Sequence, residues 1–321
     1  MGIELILTLG PSSLKPEILK KIDQLGHCIY RINGAHESPE TLPELVAKVR
    51  QILPSPKLML DLPGNKVRTK NINQPIEIRN GEQIAIKSSQ LNYPDFYKHL
   101  QRGMLLYAND STSVLKIISS NEEEIILESH SDGTIGNNKG LHVQGIHADI
   151  PFLFQKDQEL IKAAVSSKVP IVSLSYVRNR ADIRQAKNVA AEVGGDSLEF
   201  FAKVETAAAT LNLAEIFDEV DTINVDRGDL SSDIGLLKLP AKQERIIDVA
   251  TSAGKRVFLA TQFLKNMELN PVPLIAELVH IYNVFRMGIA GIQLSEETAI
   301  GRYPYECAEL VFNLYRESMS A

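Results

Sequence analysis

The strongest constraint in this sequence is an alternation that occurs eight times: a short apolar segment, then an amphipathic stretch with helical spacing. Such a series predicts a parallel sheet, because parallel strands need a crossover connection, usually a helix. Eight units favour an α/β fold of the (β/α)8 TIM barrel type. An open doubly wound sheet is the alternative, but no GxGxxG motif follows the first strand. The predicted strands cover residues 3–9, 28–32, 57–62, 171–177, 198–204, 222–225, 256–260 and 291–294.

One segment interrupts this alternation. Between residues 69 and 139 the sequence changes to short alternating strands separated by Asn, Asp, Ser and Gly, and Asn80-Gly81 predicts a hairpin between two of them. We therefore predict a barrel domain of residues 1–68 and 140–321, with an all-β domain of residues 69–139 inserted after the third strand. Without the insertion about 250 residues remain, the typical size of a TIM barrel.

Charge and cysteine content exclude several classes of protein. The 321 residues carry 34 Lys and Arg against 40 Asp and Glu, a net charge of −6, whereas nucleic-acid and membrane-surface binders are usually basic. We therefore expect no nucleic-acid and no membrane partner. Cys28 and Cys307 form no metal-binding or redox pair. Because the sequence also shows neither a signal peptide nor a membrane span, it predicts a cytoplasmic protein.

Polar residues follow every predicted barrel strand at its carboxyl end, where barrel enzymes have their active sites. Glu205 and Asp229 follow neighbouring strands, and carboxylates are ligands that Mg²⁺ prefers. The cations around the same mouth are Arg31, Lys66, Arg68 and Lys203. Because this combination suits a strongly anionic phosphate or carboxylate substrate, the sequence predicts phosphoryl transfer or an enolate stabilised by Mg²⁺.

Each of these residues also has a structural interpretation. A Lys or Glu at a strand end often forms an ion pair, and Arg227-Gly228-Asp229 can simply form a turn. His36 follows Arg31 closely enough to contact a ligand. No Walker motif is present, so a nucleotide must bind in another way. The polar residues at all eight strand ends together favour a functional interpretation.

Eight motifs follow one another along the chain: Thr8-Leu-Gly-Pro-Ser-Ser13, Arg31-Ile-Asn33 through His36, Asp61-Leu-Pro-Gly64 through Arg68, Lys139-Gly-Leu-His-Val143, Lys203-Val-Glu205, Arg227-Gly-Asp-Leu230, Ala260-Thr-Gln262, and Leu294-Ser295 with Glu297-Thr-Ala299 and Gly301. In this order and spacing the chain resembles the pyruvate kinase family over essentially its whole length. The resemblance implies phosphoryl transfer from phosphoenolpyruvate to ADP, giving pyruvate and ATP, with Mg²⁺ or Mn²⁺ as cofactor. It also implies that the inserted domain is a small β-barrel lid that closes over the nucleotide.

The resemblance further assigns roles to single residues. Glu205 and Asp229 would hold the divalent metal, and Lys203 and Arg31 would neutralise the phosphoryl group. Thr261 would contact the substrate carboxylate and help to deliver a proton to the enolate carbon. The residues implied to bind substrate are Gly228, Asp229, Thr261 and Ser295. Those implied to bind the nucleotide are Thr8, Asn33, His36, Arg68, Asp110 and Lys139.

Three departures from the usual family pattern bear on monovalent cations. Ala35 stands where most members have a Ser that binds K⁺, and Leu62 and Lys66 stand where a Thr and a Glu are usual. Members with Leu and Lys there form a K⁺-independent branch, in which the ammonium takes the place of K⁺. The resemblance thus implies that Lys66 joins the catalytic residues and that K⁺ is not required.

The chain ends after the eighth predicted barrel helix, where the family usually continues into a C-terminal regulatory domain. We therefore expect neither the usual allosteric control nor the tetramer formed through that domain, although another oligomer remains open. Glu296 also adds a negative charge where the family usually has Gly. Two alternative functions are consistent with these departures: a different Mg²⁺-dependent phosphoenolpyruvate or enolpyruvate enzyme of specialised metabolism, and a non-catalytic ligand-binding relative.

Overall fold

The fold was analysed in a computed structural model that describes residues 2–108 and 112–320. The strands in these residues are β1 (Glu4–Thr8), β2 (His27–Asn33), β3 (Lys57–Asp61), β4 (Val67–Arg68), β5 (Ile76–Ile78), β6 (Gln83–Lys87), β7 (Leu105–Ala108), β8 (Ser113–Ser120), β9 (Glu124–Ser129), β10 (Gly133–Ile135), β11 (Gly140–Val143), β12 (Ile171–Leu174), β13 (Glu199–Lys203), β14 (Thr222–Asp226), β15 (Arg256–Ala260) and β16 (Gly291–Leu294).

The α-helices in the same residues are α1 (Pro16–Asp23), α2 (Thr41–Ile52), α3 (Gln155–Ser166), α4 (Arg180–Ala191), α5 (Ala207–Leu211), α6 (Leu213–Phe217), α7 (Arg227–Ile234), α8 (Leu239–Ser252), α9 (Ile275–Arg286), α10 (Glu296–Ala299) and α11 (Pro304–Ser320). Short 3-10 helices are present at Ser88–Gln90, Pro94–His99, Ile146–Ala148, Leu236–Lys238 and Lys265–Glu268.

Eight of these strands form a closed barrel in the order β1, β16, β15, β14, β13, β12, β3, β2. All neighbouring pairs are parallel, and helices connect them along the chain. The predicted α/β barrel with an additional antiparallel sheet is therefore confirmed. Parallel pairing places the carboxyl ends of all eight strands at the same end of the barrel, which is where the polar motifs lie.

The interior of the barrel is apolar in one layer and polar in another. The buried apolar side chains of one cluster come from six different strands: Ile6, Ile29, Met59, Ile171, Phe201 and Phe258. Elsewhere in the barrel, Asn224 donates a hydrogen bond of 2.8 Å to Gln293, and both side chains are buried. A buried amide without such a partner would be costly, and this pair links β14 to β16, which lies on the other side of β15.

The barrel closes where β1 meets β16. Glu4 and Gly291 are register partners there, and a Cβ atom on Gly291 would lie only 1.8 Å from the Glu4 carbonyl oxygen. Such a distance is far inside van der Waals contact, so this strand pair requires glycine at position 291.

The helices pack apolar faces on the barrel, as α1 illustrates. Pro16 occupies its first turn, where no backbone N–H is needed, and Leu19 and Ile22 are fully buried. Two segments differ from expectation. Helical spacing in the sequence predicts one helix over residues 206–220, but the structure has α5 and α6 with a break at Asn212, whose side chain donates to the Arg178 carbonyl oxygen. Arg227-Gly228-Asp229, for which a turn was an alternative, lies in α7.

Residues 67–143 contain a six-stranded antiparallel sheet, in the order β4, β11, β7, β8, β9, β6, and a two-stranded sheet of β10 and β5. The predicted hairpin at Asn80-Gly81 is wrong, although both of its strands exist. β5 pairs with β10, and β6 pairs with β9. The reason is a turn closed from Glu82 N–H to the Arg79 carbonyl oxygen, after which the chain joins the other sheet. Ile78 and Ile86 nevertheless belong to one buried cluster.

The chain divides into two compact units. The first comprises residues 1–64, 153–231 and 237–321, and the second comprises residues 65–152 and 232–236. The domain boundaries predicted at 68/69 and 139/140 stay a prediction, since compactness does not measure independent folding. Among the described residues, no helix combines the length and the apolar character that crossing a membrane requires. The cytoplasmic location also stays a prediction.

Candidate active site

Lys203 is the last residue of β13, and its ammonium lies at the centre of a buried polar cluster. Its Nζ atom lies 3.2 Å from carboxylate oxygens of Glu205 and Asp226 and 3.7 Å from one of Asp61. It also donates to the Ser175 hydroxyl at 3.2 Å. Lys203 is only 5% exposed, so these contacts replace water as the partners of its charge.

The electrostatics of this cluster favour charged side chains. Burial alone would lower the pKa of Lys203, but the carboxylates of Asp61, Glu205 and Asp226 outweigh it and raise that pKa above its usual value. Burial alone would likewise raise the pKa of Asp61, but Lys203 and Arg31 prevail and lower it. The ammonium and the Asp61 carboxylate therefore both stay charged around neutral pH.

Arg31, on β2, is held in a fixed orientation. Its Nε and Nη2 atoms both donate to Asp61 Oδ2, at 2.8 and 2.6 Å, and Nη1 donates to the Thr8 hydroxyl at 2.8 Å. That hydroxyl donates in turn to the Leu294 carbonyl oxygen, and the Thr298 hydroxyl donates to the Thr8 carbonyl oxygen. The first three strands and the last strand thus position one buried guanidinium.

Three carboxylates lie close enough to hold one metal ion. Glu205, Asp226 and Asp229 each offer an oxygen, and these oxygens lie within 4.8 Å of one another. Glu205 is fully buried, and its Oε1 accepts a hydrogen bond from Tyr176 N–H at 2.6 Å. Its Oε2 accepts no hydrogen bond, and its contact with Lys203 is an ion pair. Oxygen ligands with an open lone pair fit Mg²⁺ or Mn²⁺.

Without a bound cation, the negative charges of Asp226 and Asp229 disfavour the ionised form of Glu205. Burial raises the pKa of Glu205 to about 8; Lys203 opposes this shift, and the carboxylates of Asp226 and Asp229 add to it. A bound divalent cation would offset that accumulation of negative charge, so the electrostatics also fit a metal site.

Among the three carboxylates Glu205, Asp226 and Asp229, Asp226 is the residue to which the sequence assigned no role. It ends β14, and it lies two residues after Asn224, which points into the barrel. Residues two apart in a strand share a face, and this alternation is the signal that places Asp226 inside. Its Oδ1 accepts a hydrogen bond from the Thr261 hydroxyl at 2.7 Å.

Thr261 and Gln262 follow β15 with strained backbones. Their φ angles are 78° and 56°, a region that is costly for residues with a Cβ and especially for the β-branched Thr261. Gly228 lies beside them, because a Cβ added to it would be 3.2 Å from Thr261 Cγ2. Gly228 and Asp229 lie in the first turn of α7, where the helix dipole favours anions.

Ser295 follows β16, and its backbone N–H donates to the Glu297 carboxylate at 2.7 Å. The other Glu297 oxygen accepts from Leu264 N–H at 3.3 Å. Burial raises the pKa of Glu297 above its usual value. The described contacts of Ser295 therefore link it to Glu297, and its predicted contact with substrate stays a prediction.

The residues predicted to bind the nucleotide fall in both units. In the first unit, Asn33 Oδ1 accepts from Ala35 N–H at 3.1 Å, and the Asn33 carbonyl oxygen accepts from His36 N–H at 3.1 Å. The chain therefore turns directly after β2, and Asn33 and His36 lie on that turn. Thr8, the third residue of this set in the first unit, has its hydroxyl bound to Arg31 and Leu294.

In the second unit, Lys66, Arg68 and Lys139 are close together around the β4–β11 pair. Arg68 and Gly140 are register partners, and a Cβ on Gly140 would lie 2.6 Å from Lys66 Cε. Lys66 directly precedes β4 and Lys139 directly precedes β11. Together with Arg68 on β4, three basic residues therefore lie on or beside one strand pair. The predicted role of Asp110 falls on a residue that lies outside the described ones.

Comparisons with known proteins identify the family of this chain. The profile of the family described as "Pyruvate kinase, barrel domain" matches residues 2–308. Pyruvate kinase of Borreliella burgdorferi is 29% identical over 322 residues, which are 98% of this chain and 68% of that protein. Pyruvate kinase of Thermococcus litoralis is 29% identical over 336 residues, 98% of this chain and 70% of that protein. Pyruvate kinase of Chlamydia muridarum is 27% identical, with coverage of 98% and 68%.

Proposed function

The chain belongs to the pyruvate kinase family, and from this premise we propose that it transfers the phosphoryl group of phosphoenolpyruvate to ADP, giving pyruvate and ATP. The observation that carries the proposal is the buried ammonium of Lys203, which lies within 3.2 Å of Glu205 and Asp226 at the carboxyl ends of the barrel strands. Phosphoryl transfer depends mainly on positioning and on charge stabilisation, and this cluster is built for both.

Glu205 and Asp229 are the residues that would hold the divalent cation, Mg²⁺ or Mn²⁺. A bound cation of this kind adds positive charge next to the carboxylate and enolate oxygens of the substrate. The protein's own contribution is rigidity: Glu205 is fully buried and is fixed by Tyr176 N–H. A ligand that cannot move keeps the geometry of the site constant during the reaction.

Lys203 and Arg31 would neutralise the phosphoryl group. In the reaction the bond between phosphorus and the enol oxygen breaks, a bond to a terminal oxygen of the β-phosphate of ADP forms, and the enolate carbon takes up one proton. Arg31 donates two N–H groups to the Asp61 carboxylate, so the guanidinium is oriented before the substrate arrives. Preoriented charges stabilise a transition state without a cost of reorganisation.

Thr261 would contact the substrate carboxylate and help to deliver the proton to the enolate carbon. Its hydroxyl donates to Asp226 in this structure, and it would turn that O–H bond toward the substrate carboxylate when the substrate binds. The substrate carboxylate would lie at the first turn of α7, near Gly228 and Asp229, where the helix dipole attracts anions. Ser295 completes the proposed substrate contacts.

The nucleotide would be bound by Thr8, Asn33, His36, Arg68, Asp110 and Lys139. Three basic residues around the β4–β11 pair support an anionic ligand there. Lys66 is one of them, and we propose that its ammonium takes the place of K⁺, so that the enzyme needs no monovalent cation.

The proposal is tested by mixing the protein with phosphoenolpyruvate, ADP and Mg²⁺ and following pyruvate. We expect turnover, and a loss of roughly 100- to 1,000-fold in kcat for Lys203→Ala and Glu205→Ala, because each removes a charge from the transition state. Lys162→Ala is the matched control, since Lys162 forms an ion pair with Glu192 on the outside of the barrel. Turnover that survives Lys203→Ala would contradict the proposal.

The same assay tests the role of Lys66 when it is run at constant ionic strength in K⁺ or in tetramethylammonium. Equal rates are expected for the native protein, and Lys66→Gln should create a requirement for K⁺. Many-fold activation of the native protein by K⁺ would contradict this assignment. If the protein shows no turnover but binds phosphoenolpyruvate only with metal, the alternative of another enolpyruvate enzyme is favoured instead.

A further inference from the structure

Asp226 connects the two residues to which the proposed reaction gives the most demanding tasks. Its Oδ2 lies 3.2 Å from Lys203 Nζ, and its Oδ1 accepts a hydrogen bond of 2.7 Å from the Thr261 hydroxyl. Its side chain is 14% exposed. Both of its oxygens therefore face the inside of the site and not solvent.

The position of Asp226 also makes it part of the carboxylate cluster. Its oxygen lies within 4.8 Å of oxygens of Glu205 and Asp229. The fully buried Glu205 has an Oε2 atom that accepts no hydrogen bond. Three inward-facing carboxylates, one of which has an unused lone pair, form an incomplete oxygen shell of the kind that a hard divalent cation fills.

The balance of charge supports the same assignment. Around Lys203 the described carboxylates are Asp61, Glu205, Asp226 and Asp229, and the cations beside them are Lys203 and Arg31. Arg227 interacts electrostatically with Asp226 and with Glu297. Arg227 and Glu297 together add one positive and one negative charge, so they leave the balance unchanged. The formal balance is therefore −2, which one divalent cation offsets. Without Asp226 a single negative charge would remain.

We propose that Asp226 is a third carboxylate ligand of the divalent metal, in addition to Glu205 and Asp229. The identity of the ion, a divalent metal, is taken from the proposed function. The choice of Asp226 as a ligand rests on the geometry of the carboxylates. When the ion is bound, Asp226 shares its negative charge between the ion and Lys203, so the ammonium is held less firmly by carboxylates. Lys203 then becomes available to the phosphoryl group only in the metal-loaded protein, and the metal should bind before the anionic substrate.

The test measures Mn²⁺ binding to the full chain without phosphoenolpyruvate or ADP, by the electron paramagnetic resonance signal of free Mn²⁺. Asp226→Asn is the informative variant, because its amide oxygen can still accept the Thr261 hydrogen bond. We expect it to weaken Mn²⁺ binding about 10-fold or more. Bound Mn²⁺ should also gain one exchangeable water, which is read from water proton relaxation.

Glu44→Gln is the matched control. It removes the same charge from an exposed residue of α2, and Glu44 belongs to neither group of carboxylates that could hold a metal ion among the described residues. A solvated charge outside the site is screened, so Mn²⁺ affinity should stay close to that of the native protein. Equal weakening by both variants would overturn the assignment, because it would reduce the effect of Asp226 to a general loss of negative charge.

Two further variants keep the test informative if Asp226→Asn misfolds. Asp226→Glu keeps a carboxylate, and it should bind Mn²⁺ more tightly than Asp226→Ser; the reverse order would overturn the proposal. Neither measurement needs turnover. An inactive native protein would overturn the proposed function alone, whereas native Mn²⁺ affinity in an active Asp226→Asn variant would overturn the metal assignment alone.

Discussion

At the scale of single residues, the site depends on ion pairs between side chains at the carboxyl ends of the strands. Lys203 and Glu205 form one of these pairs, and both were predicted from their place at the end of a strand. Asp226 was not assigned a role, because its importance depends on the side chains of two neighbouring strands, Lys203 and Thr261. Proximity across strands is a property of the folded barrel, and a single sequence does not state it.

Asp157 gives a prediction at this scale that concerns stability. Its carboxylate accepts from Gly64 N–H at 2.9 Å and Phe154 N–H at 3.0 Å, and it is fully buried. Burial raises its pKa to about 6, and these hydrogen bonds oppose the shift. Because the folded pKa lies above that of the unfolded chain, this residue's contribution is greatest below about pH 4 and is lost as the pH rises through 6.

The measurement is the free energy of unfolding of the native protein and of Asp157→Asn between pH 4 and pH 7. A shift of about two pKa units corresponds to about 3 kcal/mol. Part of this loss occurs below pH 4, so the native protein should lose about 2 kcal/mol between pH 4 and pH 7 relative to the variant, whose amide does not titrate. The variant loses one backbone hydrogen bond at every pH, so the comparison rests on the slopes. Parallel curves would contradict the prediction.

At the scale of elements, most strands and helices follow from periodicity, and the exceptions have local causes. α7 was missed because Arg227-Gly228-Asp229 has the composition of a turn, and its helical pattern is weak. The break between α5 and α6 depends on a hydrogen bond from Asn212 to the distant residue Arg178. The hairpin at Asn80-Gly81 failed because each of its strands pairs with a strand farther along the chain. Tertiary partners decided all three cases.

The turn after β15 gives a prediction at the same scale. Gln262 is exposed, and its φ of 56° is unfavourable for any residue with a Cβ. We expect Gln262→Gly to be more stable than Gln262→Ala by about 1 kcal/mol, since only glycine adopts this conformation without strain. Thermal unfolding of the two variants is the comparison to make. If the alanine variant were the more stable, the turn would not have the strained backbone described for it.

For the whole molecule, the eightfold alternation was sufficient to predict the closed barrel, because few other folds accommodate eight consecutive strand and helix units. The precise fit of the closure was not predictable. It depends on Gly291, because a Cβ at this position would lie 1.8 Å from the Glu4 carbonyl oxygen on β1. The sequence shows a glycine before an apolar segment, and only the register of β1 with β16 explains it.

Gly291→Ala therefore tests the closure of the barrel. The added methyl would force β1 and β16 apart, and overpacking of this kind costs about 1–3 kcal/mol. Calorimetric unfolding should show a lower transition temperature for the variant. Gly136→Ala is the control, since nothing lies within 4 Å of a Cβ at that position, and its transition should remain near the native one. Equal transitions in both variants would show that the closure tolerates a side chain.

The hydrogen bonds that join Thr8 to Leu294 and Thr298 have a consequence for biosynthesis. During translation the N-terminal strand is made first, but the partners that hold Thr8, and through it Arg31, are nearly 300 residues later in the chain. At roughly 5–20 residues per second, they leave the ribosome many seconds after β1 does. We expect the nascent barrel to remain catalytically silent until β16 and α10 have left the ribosome.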